Sequence, residues 1–281
     1  MKTKHTIDQF RIKKRPNYVT QDDEEVIFRV AFESKIPLIL KGPTGCGKTR
    51  FIEFMAHELG LPLVTVSCHE DLTASDLVGR FLFKDNETVW QDGPLTLAVR
   101  HGGICYLDEI VEARKDTTVI IHSLTDDRRI LYIDKTGEVV PAHGRFMMVL
   151  SYNPGYQSIV KDLKQSTKQR FASINFTHPT EEIEARIIQT ESGLGQDDSR
   201  RLAEMGAKIR QLKGFGLDEG VSSRLLVYVG RLVKGGLSPI QATRHAISQT
   251  LTDEPEVLAS IQNIARLYFG DLMEDPAREP G

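Results

Sequence analysis

The sequence predicts an α/β fold in which a parallel β-sheet carries helices on both faces and two β-hairpin insertions, followed by a smaller all-α domain. Three observations support this prediction. A glycine-rich stretch at residues 42–49 separates an apolar segment from a helical pattern. Further apolar segments follow, separated by helical patterns, as in chains that alternate strands and helices. Beyond about residue 180 only helical periodicity continues. We therefore expect an αβα domain over residues 1–180 and a helical domain over residues 181–281.

The predicted sheet is built from five apolar segments. Each is short, which is typical of strands that are buried in a parallel sheet. An amphipathic pattern at residues 22–34 predicts a helix that covers one side of the sheet, and residues 50–59 predict the helix that follows the glycine-rich stretch. The predicted strands cover residues 36–40, 61–68, 103–109, 146–151 and 172–176.

Two segments alternate apolar and polar residues around a polar turn, and each predicts a β-hairpin. The first covers residues 80–90 and turns at Asp85-Asn86, and the second covers residues 129–140 and turns at residues 135–137. After residue 180, apolar residues recur at helical spacing between glycine-rich turns. The predicted helices of this part cover residues 183–189, 199–212, 222–234, 239–250 and 255–267.

The composition argues against several classes of protein. The 281 residues are 40% hydrophobic and carry a net charge of −3, so we expect no nucleic-acid partner. No apolar run approaches the ~18 residues that a membrane-spanning helix needs, and the polar start does not have the form of a signal peptide. The three cysteines lack the spacing of a metal site, and reduced thiols fit a cytoplasmic protein.

The glycine-rich stretch matches the pattern G-x-x-x-x-G-K-[ST] of a phosphate-binding loop. Its glycines let backbone N–H groups turn inward around phosphate oxygens. Lys48 is placed to reach the β- and γ-phosphates of a nucleotide, and the Thr49 hydroxyl is placed to hold Mg²⁺. A strand before the motif and a helix after it are the context that it requires, so we predict binding of ATP and Mg²⁺. The loop consists of Gly42, Pro43, Thr44, Gly45, Cys46, Gly47, Lys48 and Thr49.

Two carboxylates, Asp108 and Glu109, end the third predicted strand. We expect Asp108 to hold the hydrated Mg²⁺ beside Thr49. Glu109 is expected to orient and polarise the water that attacks the γ-phosphoryl group. Acidic pairs at strand ends are common on protein surfaces, and it is the combination with the phosphate-binding loop that favours a catalytic role.

Three further polar residues each have a functional and a structural interpretation. Asn153 follows the fourth strand, at the edge where parallel sheets bind ligands, and would hold the γ-phosphate or the attacking water, or else form an Asn-Pro turn. Arg170 precedes the fifth strand and would neutralise transition-state charge on a neighbouring subunit's nucleotide, or else lie in an exposed loop. Arg224 begins a helix and would contact the γ-phosphate, or else cap a surface helix.

Taken together, these motifs resemble those of AAA+ ATPases of the MoxR group. The resemblance rests on residues 42–49, 107–109, 151–154, 168–171 and 222–224. Longer strings resemble the CbbQ/NirQ/NorQ family within that group. They cover residues 41–51, 73–82, 91–96, 111–118 and 125–130. The similarity extends over about residues 36–235, whereas the first 35 residues and the tail are less distinctive.

The resemblance implies a role for each candidate residue. The loop at 42–49 would be Walker A, and Asp108 and Glu109 would belong to Walker B. Asn153 would be sensor 1, Arg170 the arginine finger and Arg224 sensor 2. The helical domain would be the lid of the AAA+ module. The two hairpins would be the helix-2 insertion and the pre-sensor-1 insertion of this group.

The resemblance also implies partners. It predicts a homo-hexameric ring with nucleotide between subunits, an adaptor with a von Willebrand factor A domain (CbbO/NorD-like) and a client enzyme. The client is Rubisco for CbbQ relatives and nitric oxide reductase for NorQ and NirQ relatives, and we favour Rubisco slightly. Phe81, Phe83 and Trp90 of the first hairpin are candidates for gripping the client, although Trp90 fits a small hairpin core at least as well.

Three classes of function fit these features. The leading interpretation is a protein-remodelling motor, a chaperone that ATP hydrolysis drives. The second is a small-molecule kinase on the same loop, although such enzymes seldom place an acid at the position of Glu109. The third is a nucleotide-gated module that assembles partners without mechanical work.

Overall fold

The computed structural model describes residues 7–154, 163–214, 216, 217 and 219–270. The chain divides into two compact units. The first contains the residues up to 42 and residues 47–176, and the second contains residues 43–46 and the residues from 177 onward. The expected division into an αβα domain over residues 1–180 and a helical domain over residues 181–281 stays a prediction.

Among the residues that the structure describes, the first unit contains nine strands. They are β1 (Leu38–Lys41), β2 (Leu63–Ser67), β3 (Gly79–Lys84), β4 (Glu87–Asp92), β5 (Gly103–Asp108), β6 (Ile130–Ile133), β7 (Glu138–Pro141), β8 (Phe146–Tyr152) and β9 (Ala172–Asn175). Five of them form one parallel sheet in the order β2-β5-β8-β1-β9. The five strands predicted from apolar segments are therefore confirmed, each within about two residues of its expected bounds.

Helices of the first unit connect these strands. They are α1 (Glu24–Glu33), α2 (Lys48–Glu58), α3 (Ala74–Val78), α4 (Pro94–His101), α5 (Lys115–Ile120) and α6 (Gln165–Lys168). The sequence accounts for where two of them begin. Thr73 and Asp76 form a capping box at the start of α3, and Pro94 occupies the first turn of α4, where a missing N–H is harmless.

The sheet is buried because side chains alternate between two covered faces. Leu107 of β5 and Leu150 of β8 belong to a core that also contains Leu77 of α3 and Val99 of α4. Their neighbours along the strands point to the opposite face, because strand side chains alternate. By this alternation, Tyr106 and Asp108 lie on one face of β5. Ser151 lies on the same side of the sheet as Asn153, which directly follows β8.

Both predicted hairpins are present. Strand β3 pairs with β4, and β6 pairs with β7, in two-stranded antiparallel sheets. Asp85 and Asn86, which join β3 to β4, have φ values of 52° and 63°. Two left-handed residues of this type form the turn whose twist matches a hairpin. Trp90 packs edge-on against Phe81, with ring centroids 5.2 Å apart, so Trp90 belongs to the core of the first hairpin.

The second unit is helical in the part that the structure describes. Its helices are α7 (Glu181–Ser192), α8 (Gln196–Arg210), α9 (Ser223–Lys234), α10 (Pro239–Thr243), α11 (Gln249–Leu251) and α12 (Pro255–Phe269). A π-helical segment, Arg244–Ser248, joins α10 to α11. The single helix expected at residues 239–250 is thus interrupted. The wider turn allows Ala246, Ile247 and Ser248 to be buried in succession.

A buried ion pair lies in the helical unit. Glu184 of α7 is fully buried and accepts two hydrogen bonds from Arg210 of α8, at 2.6 and 2.8 Å. Ser223, the first residue of α9, donates to the same carboxylate at 2.5 Å. A buried carboxylate is tolerated only when it is paired and hydrogen-bonded. These contacts therefore join three helices at one point.

No helix among the described residues is both long enough and apolar enough to cross a membrane.

Candidate active site

The phosphate-binding loop connects β1 to α2 with a backbone that only glycine adopts easily. Gly45 has a φ of 70° and Gly47 a φ of 105°, and Gly47 is the N-cap of α2. A side chain at either position would strain this conformation. The first backbone N–H groups of α2 lack partners within the helix, which makes this end of α2 suited to bind an anion. Residues 42–49 thus have the geometry that the motif predicts.

Lys48 is held inside the loop that it belongs to. The residue is only 6% exposed, and its Nζ donates to the carbonyl oxygen of Gly42 at 2.8 Å. This contact joins Lys48, near the end of the loop, to Gly42, its first residue. The Lys48 ammonium group thus lies beside the first residue of the same loop.

Asp108 ends β5 and accepts hydrogen bonds from two hydroxyl groups. Tyr106 Oη donates to Asp108 Oδ1 at 2.7 Å, and Ser151 Oγ donates to the same oxygen. Tyr106 Oη also lies 3.5 Å from Thr49 Oγ1. The parallel pairing of β5 with β8 explains the contact with Ser151, because Leu107 lies opposite Leu150 and the next residue on each strand follows in register. The structure therefore links Thr49 to Asp108 through one phenol.

Glu109 follows β5 in a left-handed conformation, with φ 54° and ψ 48°. Its backbone N–H donates to Ser151 Oγ at 3.3 Å. Burial raises the pKa of the Glu109 carboxyl above its ordinary value, although Lys48 opposes this shift, and the negative charge of Asp108 adds to the increase. A carboxylate with these neighbours is suited to accept a proton, because its basicity is higher than that of an exposed glutamate.

Asn153 comes directly after β8 and is buried. Its backbone N–H hydrogen bonds the Glu109 carboxylate and lowers the pKa of that group, against the effect of burial. The structure therefore brings Lys48, Thr49, Asp108, Glu109 and Asn153 together at the carboxyl edge of the sheet. Ligands of open parallel sheets bind at this edge.

Arg170 lies just before β9 and is held by residues other than those of the loop. Its Nη1 is 3.5 Å from Asp126 Oδ2 and donates to the carbonyl oxygen of His122 at 3.4 Å. About a third of its side chain is exposed. Burial lowers the pKa of His122 below its ordinary value, and the charge of Arg170 lowers it further. Arg170 is thus a partly exposed cation whose guanidinium group is held by Asp126 and by the His122 carbonyl.

Arg224 lies in the first turn of α9, where its side chain is exposed. Ser222 caps the helix by accepting a hydrogen bond from the Leu225 N–H. Ser223 joins the buried network around Glu184. Hydrogen bonds of Ser222 and Ser223 therefore fix the first turn of α9, from which the Arg224 side chain extends.

Two residues close to Asp108 were absent from the sequence-based prediction. Tyr106 is a polar aromatic residue in a strand that is otherwise apolar, two positions before Asp108, and Ser151 lies two positions before Asn153. The alternation of side chains along a strand puts each on the same face as the residue that was predicted. A hydroxyl at this spacing is the signal that would have found them.

The segment before α1 is also more ordered than its sequence suggests. The ring of Tyr18 packs against Phe51 and Phe54 of α2, with centroids 5.3 and 5.4 Å apart. Its hydroxyl donates at 2.7 Å to Glu24, which is buried and also accepts backbone hydrogen bonds. These contacts fasten the N-terminal segment to the helix that follows the phosphate-binding loop.

The oxygen ligands at this edge fit Mg²⁺. The Thr49 hydroxyl and the Asp108 carboxylate are joined through Tyr106 Oη, and both are hard oxygen donors. Among the described residues, no group of three or more His, Cys, Asp or Glu side chains forms an all-protein metal cage. Mg²⁺ is usually bound by one or two protein ligands together with substrate phosphates and water, so the set of Thr49 and Asp108 is sufficient.

Two family models match the chain. The AAA domain model of the dynein-related subfamily matches residues 37–171, and the CbbQ/NirQ/NorQ C-terminal model matches residues 184–268. The first match covers the loop, the acidic pair and Arg170. The second covers the helical unit from α7 to α12.

Curated relatives are similar over nearly the whole chain. Protein CbbQ of Hydrogenophilus thermoluteolus is 53% identical over 93% of this chain and 98% of its own length. Protein NorQ of Paracoccus denitrificans is 54% identical over 91% of this chain and 94% of its own length. The denitrification regulatory protein NirQ of Pseudomonas aeruginosa is 50% identical over 90% of this chain and 97% of its own length.

Solved structures show the same fold at low identity. A Thermotoga maritima RuvB variant is 13% identical, with a TM-score of 0.55, and the match covers 90% of this chain and 73% of RuvB. A candidate ATPase from Cytophaga hutchinsonii is 16% identical, with a TM-score of 0.50, and the match covers 87% and 81% of the two chains.

Proposed function

Because this chain belongs to the CbbQ/NirQ/NorQ family of AAA+ ATPases, we propose that it uses ATP hydrolysis to remodel and activate a client enzyme. The chain is an ATP hydrolase by its family. One observation carries the proposed mechanism. The phosphate-binding loop, which ends at Thr49, lies at the same edge of the sheet as Asp108, Glu109 and Asn153.

We propose that the backbone of residues 42–49 and Lys48 bind the phosphates of ATP. The left-handed glycines turn the N–H groups of the loop toward an anion, and Lys48 adds the positive charge. Thr49 and Asp108 would hold Mg²⁺. Bound there, Mg²⁺ supplies positive charge that neutralises the β- and γ-phosphate oxygens.

Glu109 is the proposed base. Its carboxylate is partly buried and has a raised pKa, so it is suited to take a proton from the water that attacks the γ-phosphorus atom. Asn153 contributes its backbone N–H to the Glu109 carboxylate, and we propose that its side-chain amide holds the γ-phosphate or the attacking water. These two residues would fix the water on the side opposite the leaving group, as in-line transfer requires.

Arg170 is proposed to act on the nucleotide of a neighbouring subunit in a homo-hexameric ring. Asp126 and the His122 carbonyl hold the guanidinium at one end, while part of it stays exposed for an incoming phosphate. A guanidinium is always charged and can neutralise transition-state charge, an effect worth ~10³–10⁵ in rate where it operates. We propose that Arg224 senses the γ-phosphate from the helical unit.

The hairpins are the proposed contact with the client. Phe83 of β3 is 76% exposed, and Phe81 and Val89 of the same hairpin are 48% and 46% exposed, so this hairpin presents several apolar side chains to a partner. We propose that Trp90 instead stabilises the hairpin, because it packs on Phe81 and donates to Asp92. An adaptor with a von Willebrand factor A domain would bring the client to the ring.

Rubisco is our first candidate for the client and nitric oxide reductase is the second. The relatives named CbbQ and NorQ are 53% and 54% identical to this chain, so overall identity favours neither. The assay for Rubisco is recovery of carboxylation by an enzyme blocked with a sugar phosphate. The assay for nitric oxide reductase is recovery of activity during metal loading. ATP-dependent recovery of one enzyme, with its adaptor present, identifies the client. Recovery of neither contradicts both candidates.

Mixing two inactive variants tests the shared site. Glu109→Gln removes the base of a subunit's own site, and Arg170→Ala removes the cation that it lends to its neighbour. Each variant alone should hydrolyse ATP at least 100-fold more slowly than the wild type. Mixed rings contain interfaces with an intact Glu109 on one side and an intact Arg170 on the other, so part of the activity should return.

The control for this mixing experiment is Lys164→Ala, which removes an exposed cation close to Arg170 in sequence. It should keep wild-type turnover. If Arg170→Ala alone hydrolyses ATP at the wild-type rate, the ring-based mechanism is wrong. If mixing restores nothing although both variants assemble into rings, Arg170 does not act across subunits.

A further inference from the structure

Asp108 is held by two hydroxyl groups that the mechanism above does not use. Tyr106 is fully buried in a strand of apolar residues, where a phenol without a hydrogen-bond partner would be costly. Its hydroxyl donates to Asp108 Oδ1 at 2.7 Å. Ser151, which is also fully buried, donates to the same oxygen from the neighbouring strand.

Both donors use one oxygen of the carboxylate. Asp108 Oδ1 accepts from Tyr106 and from Ser151, and neither of these bonds involves Oδ2. Two fixed donors at one oxygen determine the rotation of the whole carboxylate about its last torsion, because Oδ2 is rigidly attached. Hydrogen bonds to a charged acceptor are stronger than neutral ones, so the orientation is well maintained.

The same hydroxyls contact the two functional residues on either side of Asp108. Tyr106 Oη lies 3.5 Å from Thr49 Oγ1, and Ser151 Oγ accepts the Glu109 N–H at 3.3 Å. A displacement of either hydroxyl would therefore affect Asp108 together with Thr49 or Glu109. Thr49 lies far from Asp108 and Glu109 in the chain, and the Tyr106 hydroxyl is the contact that joins Thr49 to Asp108.

We propose that Tyr106 and Ser151 are positioning residues that orient Asp108, with Oδ1 engaged by the protein and Oδ2 available to the magnesium shell. This inference rests on the proposed role of Asp108 and Thr49 in binding Mg²⁺. Tyr106 sets the distance between Asp108 and Thr49, and Ser151 connects Asp108 to the backbone of Glu109. Neither residue touches the reacting atoms.

The test measures metal-dependent nucleotide binding, which does not require turnover. Wild type, Tyr106→Phe, Ser151→Ala and the double variant are titrated with the non-hydrolysable analogue AMP-PNP at increasing free Mg²⁺ and in EDTA. Loss of a hydrogen bond to a charged group predicts that each single variant needs about five- to tenfold more Mg²⁺ for half-maximal enhancement of binding. The double variant should need more than either single variant. AMP-PNP affinity in EDTA should change by less than about twofold.

Two controls separate the possible failures. Ser248→Ala removes a buried hydroxyl from the helical unit, where it accepts from Gln262, and should leave the Mg²⁺ requirement unchanged. Asp108→Ala should abolish the Mg²⁺ enhancement. If it does not, the proposed metal site itself is wrong.

If Asp108→Ala abolishes the enhancement but Tyr106→Phe and Ser151→Ala keep the wild-type Mg²⁺ requirement, the positioning role is overturned while the metal site stands. Thermal unfolding of each apo variant shows whether it is folded. Tyr106→Phe keeps the ring and its packing, so this variant keeps the test informative even if Ser151→Ala were to unfold.

Discussion

At the scale of the residue, Glu109 combines a strained backbone with a partly buried carboxyl group. Its backbone is left-handed, which costs of the order of 1 kcal/mol for a residue with a side chain, and its carboxyl is buried enough to raise its pKa. The fold compensates with the hydrogen bond from the Glu109 N–H to Ser151 and with one from the Asn153 backbone. Such strain persists where the surrounding structure holds it and where a function requires that placement.

Replacement of Glu109 by glutamine is the first prediction. The amide has the same shape but cannot accept a proton from water, so ATP hydrolysis should fall by about 10²–10⁴-fold. ATP binding should remain within about threefold of the wild type, because the loop and Asp108 are intact. Turnover is measured by phosphate release and binding by fluorescence of a labelled nucleotide.

The matched control is Glu112→Gln, which neutralises a carboxylate three residues further along the chain. It should keep most of the turnover. Equal losses in the two variants would mean that negative charge in this region, and not proton acceptance, explains the importance of Glu109.

At the scale of the element, one arginine connects both hairpins to the helix between them. Arg100 of α4 contacts Glu138 of β7 with two nitrogens, each at 2.5 Å, and its Nε lies 2.9 Å from Asp92 Oδ2 at the end of β4. Short two-stranded sheets are barely stable alone. A common cation therefore supports the first hairpin at its base, where Asp92 pairs with Gly79, and the second hairpin beside its turn, where Glu138 pairs with Ile133.

Replacing Arg100 by methionine should loosen both hairpins. Arg100 lowers the pKa of Glu138 from its ordinary value of 4.5. The contribution of this pair is thus complete above about pH 4.5 and is lost as the pH falls through the lowered pKa of Glu138 in the folded state. Because both side chains are partly exposed, we expect a loss of roughly 1 kcal/mol or less at pH 7, and a smaller loss at pH 3–4.

Hydrogen exchange measures this effect locally. In Arg100→Met, amides of β3, β4 and β7 should exchange faster, whereas amides of β8 should not. Arg186→Met, which removes an exposed pair with Glu182 on α7, should leave the exchange in the hairpins unchanged. Unaltered hairpin exchange in Arg100→Met would show that the hairpins do not depend on this cation.

The two aromatic residues of the first hairpin should respond differently to truncation. Phe83→Ala removes an exposed ring, so stability and basal ATP hydrolysis should stay within experimental error, while activation of the client should be lost. Trp90→Ala removes a ring that packs on Phe81, and it should lower the thermal unfolding midpoint. Thermal unfolding and the client assay separate the two effects. Full client activation by Phe83→Ala would exclude this ring as a gripping residue.

At the scale of the whole molecule, the cysteines report on global opening. Cys46, Cys68 and Cys105 are all buried. Burial raises the pKa of the Cys68 thiol to about 12, and burial also raises the pKa of Cys105. At pH 8 only about one Cys68 side chain in 10⁴ is a reactive thiolate.

We therefore expect iodoacetamide at pH 8 to label these three cysteines slowly in the native protein and quickly in urea. The native rate should follow the fraction of open molecules, since labelling requires exposure. Mass spectrometry of tryptic peptides assigns the label to each cysteine. Rapid native labelling of Cys68 or Cys105 would show that the sheet opens far more readily than its packing indicates.

The sequence predicted most of the elements because their signals are local. Apolar strands, hairpin turns such as Asp85-Asn86 and helix caps act within a few residues. It did not predict the π-helical segment Arg244–Ser248, because a wider turn there depends on which side chains the surrounding helices bury. Nor did it identify Asp126 as the ion-pair partner of Arg170, since the two residues lie far apart in the chain.

By itself, the sequence determined the fold class, the phosphate-binding loop and the acidic pair, because each of these depends on local patterns of residue type and spacing. The tertiary structure alone decided what surrounds that chemistry. Tyr106 reaches Thr49 across 57 positions and Ser151 reaches Asp108 across 43. The first contact exists only after α2 packs against β5, and the second only after β5 and β8 pair in one register, since tertiary packing brings side chains together regardless of their distance along the chain.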